Sequence, residues 1–314
     1  MSRAPVRALL AAAAIAVAAP VVAQTQPAPA FTPLTAEFDA FVTKTAATPM
    51  PERVRLFRAR FNALFPGFYT PRGGATEERY NAHVERHLTA YPAQRDKFLA
   101  AAHEFAAAYA RGTARFRRFF PDYAPTMPIY LVHSLGEMDG GTRQLEGRVV
   151  GVFGADVIAR IHDSATIGPF LDHELFHFHH VRFFPDCEAL WCSLWQEGLA
   201  VYVASKMNPG ADDKALLLVT PKPIRPEVEP RLAEAICYTR ERMESVYPAV
   251  YRDYFQGNGG ATVFPARFGY YVGYRIAQNF GETRSLEQLA ALSPAEAKPL
   301  ILKAMQNFAA CPKG

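Results

Sequence analysis

Residues 172–180 read DHELFHFHH and place four of the chain's nine histidines within nine positions. Inside that stretch His173, Glu174 and His177 form an HExxH spacing. On a helix, residues four apart sit about 40° apart in projection and one turn apart along the axis, so the two imidazoles converge on one point. A zinc ion held by two nitrogens near 2 Å requires that convergence. Glu174 lies about 100° round from His173, where it reaches a water on such an ion without ligating the ion. A third ligand is still needed. His180 shares the face of His173 but lies roughly 10 Å along the axis from it, too far for one ion to accept both. His179 points elsewhere and reads as ordinary helix surface. The metzincin pattern HExxHxxGxxH fails, because a histidine stands at its glycine position and Phe183 at that of its third histidine.

The remaining candidate is Glu197, in LWQEGLAVYVAS, twenty residues after His177 on the next apolar helical stretch. FFPDCEAL between them supplies a proline turn that brings the second helix back. A carboxylate in so apolar a helix is costly unless paired or ligated. Gly198 beside it costs about 1 kcal/mol relative to alanine in a helix interior, which predicts close packing there. The plain alternative is a partly exposed glutamate on a mostly buried helix.

HELFH followed by WQEGLAVY resembles the gluzincin zinc metallopeptidases, in which two histidines and a downstream helical glutamate bind the metal. The resemblance implies one Zn2+ held by His173, His177 and Glu197, with Glu174 as the general base. FGYYVGYRIAQNF (268–280) is similar to the YxxG stretch of gluzincin aminopeptidases, whose tyrosine hydrogen-bonds the transition-state oxyanion. By that match the tyrosine is Tyr270, followed by Gly273; aromatic packing of Tyr270, Tyr271 and Tyr274 is the alternative. The combined spacing most resembles a family of exported zinc-dependent proteases of unknown substrate, over residues 127–285. Two departures stand out. The GAMEN-like segment that binds a free amino group is absent, so aminopeptidase specificity does not carry over. Where thermolysin-like enzymes place an aspartate four residues after the ligand glutamate, this chain has Val201.

The expected activity is therefore peptide hydrolysis by a zinc-bound water activated by Glu174, on a peptide or protein substrate. The strand expected at 147–153 would offer its backbone to an extended substrate. A zinc-binding scaffold without catalysis is the second reading, although structural zinc has no need of Glu174. An exported helical binding protein without metal is the third.

These residues need elements to position them. Arg3 and Arg7, a 16-residue apolar run and Val21-Val22-Ala23 form the pattern of a signal peptide cleaved after Ala23. The run carries Pro20 and is shorter than the ~20 residues of a membrane span, so no stable insertion is expected after cleavage, and export to the periplasm or medium is. Residues 24–34 read as a flexible leader and 35–125 as an N-terminal helical region, where His83, His87 and His103 read as surface or packing histidines. Strands are expected at 127–135 and 147–154, with EMDGGT as a turn. Helices are expected at 169–183, 188–206, 229–245, 266–280 and 295–309, and TPKPIRPEVEP (220–230) as a surface loop or a lid. Residues 126–314 would form a zincin-like domain, and the whole an α+β protein, mostly helical, with a small sheet before the HExxH helix.

The formal charge of +4 falls to +2 without residues 1–23, too near neutral for a nucleic-acid footprint. Export makes disulfides permissible for the four cysteines. Proximity favours Cys187–Cys192, leaving Cys237 for Cys311.

Overall fold

A computed structural model of the chain describes residues 31–185, 187–257 and 263–311. The expected signal peptide and most of the leader lie outside these residues. The fold is α+β and mostly helical, as expected, with one four-stranded mixed sheet. Phe31–Pro33, expected in the flexible leader, is instead strand β1. It pairs parallel with β2 (Ile129–Val132), and Phe31 stacks on Tyr109 at 5.3 Å, so apolar burial fixes its place.

Three helices follow β1: α1 (Thr35–Lys44), α2 (Met50–Leu64) and α3 (Glu77–Phe119). Phe38, Phe57, Phe61, Tyr91 and Phe98 interlock between them and are buried. This cluster is continuous with the core of the rest of the chain. The N-terminal helices therefore share one core with the sheet and the HExxH helix. The 43-residue α3 starts at Thr76, whose side chain accepts from Arg79 N–H, and carries Pro92 in its interior.

EMDGGT leads into strand β3 (Thr142–Leu145), which sequence reading missed, and β3 turns back through Glu146-Gly147 into β4 (Arg148–Gly154). The short alternation of polar residues in TRQL explains the miss: an edge strand with one face in solvent carries little apolar signal. The strand order is β1-β2-β4-β3, with β2 and β4 parallel and β3 antiparallel to β4. β4, buried from Val150 to Gly154, is interior, and β3 is an edge.

α4 (Ala155–Ile161) leads to the HExxH helix α5 (Ile167–His180). Asp163 closes the turn just before that helix by accepting from the backbone N–H groups of Ala165 and Thr166. α5 is buried almost all round, its Asp172, Glu174 and most of its histidines included. Phe178 reaches the sheet at Gly151, where a Cβ would lie 2.9 Å from its ring. α6 (Leu190–Met207) carries Glu197 and runs back along α5. The expected Cys187–Cys192 disulfide lies at its entry.

The chain continues through α7 (Arg225–Val228), a 3-10 turn and α8 (Leu232–Arg240), then α9 (Pro248–Phe255), α10 (Phe268–Gly281), α11 (Leu286–Ala290) and α12 (Pro294–Phe308). The expected helix at 229–245 is shorter, and α9 and α11 were not foreseen. TPKPIRPEVEP is pinned to α10: Tyr271 Oη donates to Glu229 at 2.6 Å, and Arg225 lies over the Tyr271 ring. The second disulfide joins Cys237 on α8 to Cys311 beyond α12, the pairing expected by elimination. Among the described residues no helix is long and apolar enough to cross a membrane.

Candidate metal centre

The helical spacing of His173 and His177 brings their Nε2 atoms to 3.0 Å from each other. Glu197, from α6, places Oε2 3.3 Å from both. A tetrahedral ion with bonds near 2.0–2.2 Å needs donor pairs about 3.3–3.5 Å apart, so the trio fits such an ion with little adjustment. Two imidazoles and one carboxylate, all largely buried, are also the donor chemistry of a catalytic zinc site that leaves a fourth position open.

The electrostatics agree with this convergence. Burial opposes ionisation of Glu197, but the charge of His177 and the hydrogen bonds of both imidazoles hold its carboxyl well below the usual range. Burial also opposes protonation of His177, yet Glu197 and Glu174 raise it to about 9. His173 is lowered, chiefly by burial. The three donors thus favour an imidazolium–carboxylate pair between His177 and Glu197, with His173 neutral.

Glu174 sits beside the trio, buried, and its Oε2 finds no hydrogen-bond partner within the protein. Burial pushes its pKa up to about 8. The Gly140-Gly141 pair of EMDGGT makes room for it: a Cβ on Gly140 would lie 3.0 Å from Glu174 Cγ and 2.7 Å from the Phe170 ring. These glycines were read only as a turn.

All four residues line one cleft of about 360 Å³. Tyr270, near the start of α10, closes it from the opposite side, its ring 6.3 Å from that of His173 and 5.4 Å from Phe255. It is partly buried, so the aromatic packing expected as an alternative coexists with a position in the cleft. The strand bordering the cleft is not the 147–153 segment. β4 has both neighbours paired, and Thr142 and Arg143 of the edge strand β3 line the cleft instead. β3 therefore brings an unpaired strand edge to the border of the cleft.

Of the other two histidines of the cluster, one departs from expectation. His179 is not surface but buried, packed against Phe116, Phe120 and Tyr123. His180 is outside the ligand trio, as expected, and is stacked between Phe176 and Phe184. His87, read as a surface or packing residue, joins His133 and Asp156 in a second group with donor atoms within 4.8 Å of one another. Two of its three residues are already engaged. Asp156 accepts from Ser134 N–H, Ser134 Oγ and Gly136 N–H, and His133 Nδ1 accepts from Leu135 N–H. That group fastens the 134–138 turn leading into the cleft.

Sequence reading missed three further features. Asp172 is fully buried and accepts from Arg115 on α3 and from Asn208 after α6, tying three helices at one point next to His173. Asp139 lines the cleft and faces His162 Nε2 at 3.2 Å. Arg267 also lines the cleft, three residues before Tyr270; no periodicity or motif marks it. Compared with known proteins, the chain matches no family, no curated sequence and no solved structure.

Proposed function

We propose that this protein is an exported zinc-dependent peptidase that uses His173, His177 and Glu197 as metal ligands. The observation that carries the reading is the convergence of those three donors beside a buried Glu174 oxygen that has no partner in the protein. A purely structural zinc site has no use for such a carboxylate. Zinc, when bound, supplies Lewis acidity toward the scissile carbonyl and an acidified water.

The chain's own residues do the rest. Glu174, raised above an ordinary glutamate by burial, accepts a proton from the attacking water and returns it to the leaving amine. Tyr270 donates its phenolic proton in a hydrogen bond to the oxyanion as it develops. The free edge of β3 aligns an extended substrate across the cleft. Two disulfides and the lack of a membrane-spanning helix among the described residues are in keeping with export.

The test pairs metal analysis with a peptide-library digest on the wild type and Glu174→Gln. Expected are about one zinc per chain in both proteins and a loss of hydrolysis on the order of 10²–10⁴-fold in the variant. A zinc-loaded variant with full activity would overturn the assignment of Glu174. A wild type purified without chelators that holds no zinc would overturn the whole reading.

A further inference from the structure

Arg267 has an unusual backbone and an incomplete set of partners. Its φ is +68°, a left-handed conformation that costs a non-glycine residue on the order of 1 kcal/mol or more and persists only where the surroundings enforce it. Leu217, which lines the same cleft, is also left-handed at +60°. The conformation sets Arg267 immediately ahead of α10, with its guanidinium 4.5 Å from the centre of the Tyr270 ring. Nη1 donates to the Thr220 carbonyl at 3.2 Å.

Two of the three carboxylates that line the cleft are engaged elsewhere. Asp139 is held by His162 and by Gly140 N–H. Glu197 belongs to the two imidazoles, and Glu174 is buried without an ion-pair partner among the described residues. Arg143, the other guanidinium of the cleft, shares Glu137 with Arg72. Asp139, Glu174 and Glu197, the carboxylates that line the cleft, form no ion pair with Arg267. A half-buried guanidinium that bonds one backbone carbonyl and borders the Tyr270 hydroxyl still keeps free donors, in a fork that matches a carboxylate in two parallel bonds.

We propose that Arg267 binds a carboxylate carried by the substrate, so that the cleft takes peptides with a negative charge close to the scissile bond. The proposal rests on the peptidase reading above. Arg267 lies over the ring of Tyr270, which itself stands beside His173, so only a few residues of extended chain, at about 3.3–3.6 Å each, separate the two points. The carboxylate is either the free C-terminus of a short peptide or an acidic side chain near the cleaved bond.

The experiment measures binding separately from turnover. Zinc-loaded full-length Glu174→Gln protein is titrated calorimetrically with two matched peptide pairs: free acid against C-terminal amide, and glutamate against glutamine beside the scissile position. At least one charged member should bind about 10-fold more tightly than its neutral partner, and the pair that differs identifies the source of the carboxylate. Adding Arg267→Gln should abolish that difference and leave the neutral peptide's affinity within about twofold, while Arg267→Lys should keep part of it. Equal binding within both pairs would overturn the proposal, and this comparison does not depend on Arg267→Gln folding. Equal weakening of charged and neutral peptides by Arg267→Gln would overturn it too. A wild type that cleaves none of the peptides, while the carboxylate preference persists in Glu174→Gln, would sink the peptidase reading and leave the role of Arg267 intact.

Discussion

Gly198 on α6 and Gly273 on α10 meet backbone to backbone. A Cβ built on Gly198 would lie 2.1 Å from the Gly273 carbonyl carbon, and one on Gly273 would lie 2.2 Å from the Leu194 oxygen. Each glycine follows a site residue, Glu197 and Tyr270 respectively, so the contact sets how closely those two side chains approach. The cost foreseen for a glycine inside α6 is explained by this contact. Gly198→Ala and Gly273→Ala should each destabilise the fold by about 1–3 kcal/mol, because backbone has to move rather than a side-chain tip. Thermal unfolding of both variants, with zinc affinity measured alongside, checks this: zinc binding should weaken in Gly198→Ala, and unchanged stability would show that the helices are not in contact.

Tyr270→Phe keeps the ring against Phe255 and removes only the phenolic hydroxyl. If that hydroxyl stabilises the oxyanion, kcat should fall about 10²–10³-fold, with KM and zinc content unchanged. A parallel rise in KM at constant kcat would point instead to a role in substrate binding.

The Asp172–Arg115 pair predicts an asymmetry. The Asp172 side chain is fully buried, whereas that of Arg115 is 34% exposed. Arg115→Ala leaves a buried carboxylate with Asn208 as its remaining donor, and should cost about 3 kcal/mol or more. Asp172→Asn keeps an acceptor at the same place and leaves the arginine partly hydrated, so about 1–2 kcal/mol is expected. Urea unfolding of the two variants tests the order, and the reverse order would contradict the burial argument.

Acid stability should depend on His87, which is not one of the metal-site trio. Burial, helped by His133 and His83, lowers its pKa to about 4 from an unfolded value near 6.5. A folded pKa below the unfolded one means that the neutral form stabilises the fold. That contribution is complete above pH 6.5 and is lost as the pH falls from 6.5 toward 4. His87→Gln cannot be protonated, so its Tm should fall less steeply than the wild type's across that window, by roughly 2–4 °C for each kcal/mol involved. Parallel Tm-against-pH curves would refute the assignment.

Local spacing alone made His173, Glu174 and His177 legible, because three residues within five positions of one helix have their geometry fixed by the helix itself. Glu197 was legible by cost, as a carboxylate in an apolar helix beside an otherwise unfavourable glycine. The α+β class, the main helices of the site and both cysteine pairings were also within reach of periodicity and proximity.

The tertiary structure decided what depends on neighbours distant in sequence. It turned Phe31–Pro33 into a strand, buried His179 in an aromatic nest, and made β3 rather than β4 the free edge of the sheet. It also set Gly140 against Glu174 and brought Arg267 into the cleft. A sequence period states which way a side chain points from its own element. What it points at is settled only when the elements pack.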